Sequence, residues 1–419
     1  MELRVPALKT ACYYYLQLIR FALISHRLPP SGSGQALVIY RMLQCLSPDS
    51  YCLISSERYD GDQPGDNYSR KLPAHYHHLP PPFRVNRGHR FGLYRLREGV
   101  NIPLAVAQHA RRITEIVRRE KCEAIVACTG DVAQMPAAYL ASRRTNVPFY
   151  AYIFDHYSYR EWQDPAAAFW ARRFEPRLMK RAAGVIVPNE TLRDDLRERY
   201  GVEAAVIHNS FDISPYEARE QPPPSSARDG EIKIVYTGDI YEAHYDAFRN
   251  LVAAIESLGR SGVKLHLYTN RPEKDLDALG IRGPVVRHPH HAMREMPGIQ
   301  MEADLLFLPL AFNSPYPELV RTSATTKLGE YLAARRPVLV HAPPDSFVSW
   351  YFRRYDCGLV VDESDPARLA EGIERVLGDA GLRRLLSANA WERARADFDI
   401  RQSRDAFARL IGLEGAQGR

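Results

Sequence analysis

None of the six cysteines stands in a C-x-x-C pair, neither sign of charge is in marked excess, and the one long apolar stretch near the start is broken by a charge. Each absence removes a class of protein. Without paired cysteine spacing there is no zinc ribbon or dithiol redox motif to read, and cysteines in runs such as "YCLISS" and "CEAIVACTG" fit buried, reduced thiols in a cytoplasm. A formal charge of +6, from 56 basic and 50 acidic residues mixed along the chain, offers no basic face for a nucleic acid, so none is expected as a partner. The stretch "ACYYYLQLIRFALIS" is interrupted by Arg20 and followed by no small-residue cleavage site, so neither a signal peptide nor a membrane span is expected.

With 45% hydrophobic and 25% charged residues over 419 positions, the chain has the make-up of a globular protein of two or three domains. Short runs rich in Val, Ile and aromatics alternate with amphipathic segments: "FALIS", "YCLISS", "AIVACTG", "PFYAYIF" and "GVIVPN", separated by patterns such as "GQALVIYRMLQCL" and "PLAVAQHARRITEIVRRE". That alternation predicts βαβ units around a buried parallel sheet. The pattern breaks at "ISPYEAREQPPPSSARDG", whose prolines, serines and charges predict an exposed connector. A second series follows with "IKIVYTG", "VKLHLYT", "ADLLFLPL", "PVLVHA" and "GLVVD". The expected organisation is a first Rossmann-like domain over 1–212, a linker over 213–230, a second Rossmann-like domain over 231–395, and a C-terminal helix over 396–419 packing back on the first domain. Two such α/β halves would face each other across a cleft.

The segment "SATTKLGEYLA" predicts a helix start at the carboxyl edge of the second sheet, where free backbone N–H groups favour an anion. Thr325 or Thr326 is the expected cap and Lys327 supplies a point charge for phosphate oxygens. Glu330 lies one turn further on the same face. A carboxylate only accepts hydrogen bonds, so it matches the vicinal hydroxyls of a ribose. The competing reading of Lys327 and Glu330 is a solvated pair on an amphipathic helix. In the first half, "PSGSGQA" follows a predicted strand and opens a helix, which makes Ser33, Gly34 and Gln35 candidates for close backbone approach to a ligand, against the alternative of a plain tight turn.

Taken together, "VIVPNETLRDDLRERYGVEAAVIHNSFD", "IKIVYTGDI", "ADLLFLPL", "KLGEYLAARRPVL" and "CGLVVDESDPARLAEGIERVLGD" resemble the GT-B glycosyltransferases, most closely the retaining family 4 group. The resemblance runs from about residue 184 to about 400. It implies transfer of a sugar from a nucleoside-diphosphate sugar to a sugar, lipid-linked or small-molecule acceptor, with retention, with no metal and no cofactor beyond the donor, in glycan or glycoconjugate biosynthesis. It makes Lys327 the first catalytic candidate. Asp131 and His156, at turns that end two first-half strands, are candidates for orienting or deprotonating the acceptor hydroxyl; Asp131 reads equally well as a helix cap in "GDVAQM". His288 and His290 of "HPHH" fall where such enzymes place the nucleobase loop.

Two departures from the family pattern stand out. Thr322 occupies the place of the first of two glutamates eight positions apart, the second being Glu330. No lysine follows the Gly238 turn, where Tyr241, His244 and Arg249 are the nearest substitutes, and Arg271 and Arg321 are further candidates for the diphosphate. These departures keep two rivals open: a nucleotide-sugar epimerase or hydrolase of the same fold, and a silent nucleotide-sugar-binding subunit.

The histidine groups "HYHH" and "HPHH" have no cysteine partner and no i, i+4 spacing, so a metal site is not expected. The helix pattern "FWARRFEPRLMKRAAG" puts Trp170, Phe174 and Leu178 on one stripe and Arg173, Arg177 and Arg181 on another. It reads as an ordinary packed helix or as a peripheral contact with an anionic membrane at its inner face.

Overall fold

The computed structural model of the chain describes residues 19–59, 70–85, 94–158, 164–220, 230–289 and 291–413. Two all-parallel sheets form. The first contains β1 (Phe21–Ile24), β2 (Tyr51–Ser55), β3 (His75–His78), β4 (Ala124–Cys128), β5 (Phe149–Tyr152), β6 (Gly184–Val187) and β7 (Ala205–Val206), in the order β3-β2-β1-β4-β5-β6-β7. The second contains β8 (Ile232–Thr237), β9 (Val263–Tyr268), β10 (Val285–His288), β11 (Leu305–Pro309), β12 (Val338–His341) and β13 (Leu359–Val361), in the order β10-β9-β8-β11-β12-β13. Central strands such as β1, β2, β4 and β11 are buried along their whole length. A strand covered by helices on both faces must be apolar throughout, which is why these runs do not alternate.

In each sheet the strand order reverses once, between β1 and β4 and between β8 and β11. Helices flanking those points leave a crevice at the carboxyl ends of the strands, where ligands of open parallel sheets bind. The helices that matter for it are α1 (Gly34–Leu43), α2 (Tyr94–Arg119), α3 (Gln134–Thr145), α4 (Pro165–Arg181), α5 (Glu190–Tyr200), α6 (Pro317–Arg321) and α7 (Lys327–Ala333).

The chain crosses between the two units at two adjacent places. Phe211 N–H donates to the Phe398 carbonyl at 3.1 Å, and Ile400 N–H donates to the Phe211 carbonyl at 3.0 Å. Beyond that point α8 (Ile400–Ile411) lies in the first unit, where Phe407 and Ile411 share a core with Phe21, Tyr51 and Ile207. Both crossing phenylalanines press on α7. A Cβ on Gly329 would sit 2.8 Å from the Phe398 Cβ and 2.9 Å from the Phe211 ring, so the glycine of "KLGEYLA" lets this helix seat against the crossing point.

Three features differ from the sequence reading. The edge strands β3 and β10 carry "HYHH" and "VVRH", in which polar side chains are only half covered, so no apolar run announces them. The connector is not exposed throughout. Ser214–Glu217 forms a helical turn, and Tyr216 is buried with its hydroxyl donating to Gln300 Oε1 at 2.6 Å; residues 221–229 lie outside the described residues. Part of the early apolar stretch, 11–18, also lies outside them, and among the described residues no helix is long and apolar enough to cross a membrane.

Gly329→Ala gains about 1 kcal/mol of helix propensity but forces a methyl group into atoms fixed to the backbone, which costs about 1–3 kcal/mol. We expect a net loss of stability, read as a lower urea midpoint at unchanged slope; an equal or higher midpoint would contradict the packing described.

Candidate active site at the domain cleft

A cavity of about 430 Å³ opens between the carboxyl edges of the two sheets. The first unit contributes the turn Gly32–Gln35, Leu37 and Val38 of α1, Phe154, Asp155 and Asn209; the second contributes Thr237, Gly238, Asp239, Tyr241, Tyr268, His291, Met293, Met296, the run Ser323–Lys327, and Glu330.

Lys327 is the centre of its second-unit wall. Gly238 follows β8 with φ +115°, a conformation open to glycine, and a Cβ there would lie 2.5 Å from the Lys327 Cε and 3.0 Å from its Nζ. The ammonium therefore rests on bare backbone, 5.0 Å from the centre of the Tyr236 ring. Among the described residues its side chain makes no hydrogen bond. Burial lowers its pKa from 10.5 to about 8, against the pull of Glu330 and Asp239. Neither threonine caps α7 in the expected way: Thr326 is helical in its backbone and makes no capping bond, while Thr325 Oγ1 only accepts from Lys327 N–H at 3.4 Å. Glu330 is buried on the cavity floor. Its Oε1 accepts from Arg41 Nη2 of α1 at 2.5 Å, and Gln300 Nε2 lies 3.5 Å from its Oε2.

The glycine turn of the first unit faces this wall, with Gly34 within van der Waals reach of Thr326: a Cβ there would be 3.9 Å from the Thr326 methyl. Ser33 caps α1 by accepting from Ala36 N–H at 3.1 Å. Gln35 is held by donating to Ser25 Oγ at 3.0 Å and to the Thr129 carbonyl at 2.8 Å, which ties the ends of β1 and β4. Tyr241 lines the cavity with its ring over His244 at 4.2 Å. His244 itself is buried behind it, and burial, aided by the charge of Lys327, holds its imidazole neutral well below the usual range.

Other candidates lie away from the cavity lining. Asp131 Oδ1 accepts from Ala133 and Gln134 N–H at 2.7 and 3.1 Å and so caps α3. His156 is fully buried with Nε2 2.8 Å from Asp195 Oδ2, and Asp195 also pairs with Arg321 across the cleft. Burial pushes the Asp195 carboxyl up, but His156 and Arg321 outweigh it and hold it below the usual range. Arg271 donates to the Ile240 carbonyl at 3.0 Å, bracing the loop after Gly238 from behind. Arg249 is exposed and does not line the cavity. His288 lies behind Tyr268, stacked at 4.1 Å and bonded to His266 at 2.9 Å, while His290 lies outside the described residues. Thr322 is buried, its hydroxyl donating to the Glu318 carbonyl at 2.9 Å, so the position does not face the cavity.

Residues that sequence reasoning did not single out are Asp155, Asn209, Asp239, Tyr268, His291, Met293 and Met296. Asp155, Asp239 and Tyr268 follow or end strands at the carboxyl edge, a positional signal that was there to use. Away from the cleft, His75 Nδ1 and His77 Nε2 lie 3.3 and 3.0 Å from oxygens of Glu120. Arg20 pairs with the same carboxylate and Arg119 Nη2 lies 3.1 Å from His77 Nδ1, so these groups are already engaged. On α4 the apolar stripe turns inward: Trp170 stacks on Phe174 at 5.2 Å and donates to the Gly99 carbonyl at 2.9 Å, and Leu178 is in the core. Phe169 and the arginines face solvent.

Two family models match the chain: Glycosyltransferase Family 4 over residues 57–214 and Glycosyl transferases group 1 over residues 231–379. No curated protein matches in sequence. Among solved structures, sucrose-phosphate synthase from Thermosynechococcus elongatus is similar at TM-score 0.66 and 15% identity, covering 94% of this chain and 98% of its own. Anabaena Alr3699/HepE in complex with UDP-glucose is similar at TM-score 0.62 and 16% identity, covering 94% and 99%. WaaG, a glycosyltransferase involved in lipopolysaccharide biosynthesis, is similar at TM-score 0.60 and 15% identity, covering 94% and 100%. With two parallel sheets facing across a cleft and both domain models matched in order, the chain is a family 4-like glycosyltransferase of the GT-B fold.

Proposed function

We propose that the chain moves a sugar from a nucleoside-diphosphate sugar to an acceptor hydroxyl, with retention and without a metal ion, in the assembly of a glycan or glycoconjugate. The observation that carries this reading is the floor of the cleft: one half-buried ammonium, Lys327, and one buried carboxylate, Glu330, a helical turn apart on a face that opens to the cavity. In this reading Lys327, with the Thr325 and Thr326 hydroxyls, meets the diphosphate, and Glu330 accepts from the ribose hydroxyls. Tyr268, Met293 and Met296 supply an apolar wall for the base. Gly34, Gln35 and Asp155 lie on the side left for the sugar and acceptor. The complex of Alr3699/HepE with UDP-glucose supports the choice of donor, and the role of WaaG in lipopolysaccharide biosynthesis supports the kind of product.

The chemistry follows from the charges. The bond between the anomeric carbon and the phosphate oxygen breaks with its electron pair going to the diphosphate. The acceptor oxygen bonds to the anomeric carbon from the same face, and its proton passes to the leaving phosphate oxygen. An oriented cation beside that oxygen stabilises the transition state more than the ground state. No protein nucleophile is required.

A thermal-stabilisation screen of nucleotide-sugars identifies the donor, since a ligand that binds only the native state raises the melting point. With that donor, Lys327→Ala should raise the barrier by about 2–4 kcal/mol, roughly 30- to 1000-fold in turnover, and transfer should continue in excess chelator. Undiminished turnover in the variant would remove Lys327 from this role. Rapid consumption of donor without any acceptor would favour an epimerase or hydrolase, and absence of turnover with every acceptor would favour a silent subunit.

The lowered pKa of Lys327 gives a second check. The ammonium is present below about pH 8 and lost above it, so kcat/KM, which reports free enzyme, should fall as pH rises through about 8. A bound diphosphate favours the charged form, so the matching limb in kcat should lie at higher pH. A kcat/KM profile that stays flat well past that point would contradict the assignment.

A further inference from the structure

Arg41 has no place in the chemistry above, yet it reaches the acid that the ribose is proposed to meet. It sits on α1, one turn beyond Leu37 and Val38 of the cavity wall, and is buried to 6% exposure. Its Nη2 donates to Glu330 Oε1 at 2.5 Å, across the cleft and 289 residues along the chain. Its backbone carbonyl accepts from Arg404 Nε of α8 at 3.1 Å. Its guanidinium carbon lies 6.0 Å from the centre of the ring of Phe211, at the chain crossing. Its Nη1 is buried with no hydrogen-bond partner among the described residues.

Two physical points bear on this arrangement. A buried ion pair is weak evidence for stability, because desolvation offsets much of the attraction, and a buried N–H without an acceptor adds a cost. Packing alone therefore does not account for an arginine here. Second, a carboxylate has lone pairs to spare: among the described residues Oε1 accepts from Arg41 and Oε2 from Gln300, at 3.5 Å, which leaves each oxygen room for one hydroxyl donor.

We propose that Arg41 is a positioning residue for the ribose subsite: reaching from the opposite domain, it holds the Glu330 carboxylate oriented toward the cavity, so that the ribose is read only when the two domains are closed. This rests on the reading of Glu330 as the ribose acceptor. The pair spans the cleft, so opening the domains withdraws Arg41 and releases the acid to turn away.

The test compares ligands that differ only at the ribose. UDP and GDP, and their 2′,3′-dideoxy counterparts, are titrated into the full-length protein, into Arg41→Met and Arg41→Lys, and into Glu330→Gln. The wild type should bind the better ribonucleotide about tenfold or more tightly than its dideoxy form. Arg41→Met should lose most of that preference while binding the dideoxy form as before, and Arg41→Lys should keep part of it. In kinetics, KM for the donor should rise in Arg41→Met with kcat little changed. Equal weakening of both forms by Arg41→Met would overturn the proposal, leaving Arg41 a purely structural contact. A wild type that does not distinguish the two forms, or binds neither nucleotide, would instead sink the ribose reading itself. Should Arg41→Met not fold, Arg41→Lys and Glu330→Gln give the same comparison, and an undiminished preference in both would overturn the proposal.

Discussion

The ammonium of Lys327 lies against a stretch of main chain that carries no side chain, and the rest of the cleft is arranged around that contact. Gly238 provides the bare surface, and its positive φ turns the loop after β8 under the lysine stem. Gly329 does the matching job on the other side of the helix, allowing α7 to settle on Phe211 and Phe398 so that its first residue reaches β8. A charged group in this setting is sensitive. Burial draws its pKa down, and the neighbouring acids Glu330 and Asp239 resist. His244, buried and facing the repulsion of the same charge, is kept neutral and so adds no competing cation.

The two domains are held together by the segment that carries the site. Asn189 Nδ2 donates to the Thr322 carbonyl at 2.8 Å, Asn209 Nδ2 to the Ala324 carbonyl at 2.6 Å, Arg321 pairs with Asp195, and Arg41 with Glu330. All four contacts end between residues 321 and 330. A shift of one domain is thereby felt at this wall of the cavity without any intervening relay. His156 belongs to this ensemble. Its imidazole meets Asp195, which in turn meets Arg321, so it braces the closed cleft instead of lining it.

Much of this was legible in the sequence, and the parts that were not share a physical cause. The strands at the centre of each sheet must be apolar on both faces, so runs such as "AIVACTG" and "ADLLFLPL" announced them. Edge strands are free of that demand, and "HYHH" and "VVRH" are not among the runs that read as strands. Lys327, Glu330, Gly34 and Gly238 could be read because helix starts and glycine turns carry local chemical signatures. Asp131 and His156 could not be settled that way, since an acid after a strand caps a helix as readily as it meets a ligand. Arg41 was out of reach altogether: within "GQALVIYRML" it looks like the polar edge of an amphipathic helix, and only the tertiary fold brings Glu330 to it.

The account turns on where a nucleotide sits. A crystal of the protein grown with UDP or GDP decides it: the account predicts a diphosphate oxygen within about 2.7–3.2 Å of Lys327 Nζ, in the cleft between the two sheets, with the ribose against Glu330. Density for the nucleotide elsewhere on the protein, with Lys327 still resting on Gly238 and no phosphate beside it, would contradict the assignment.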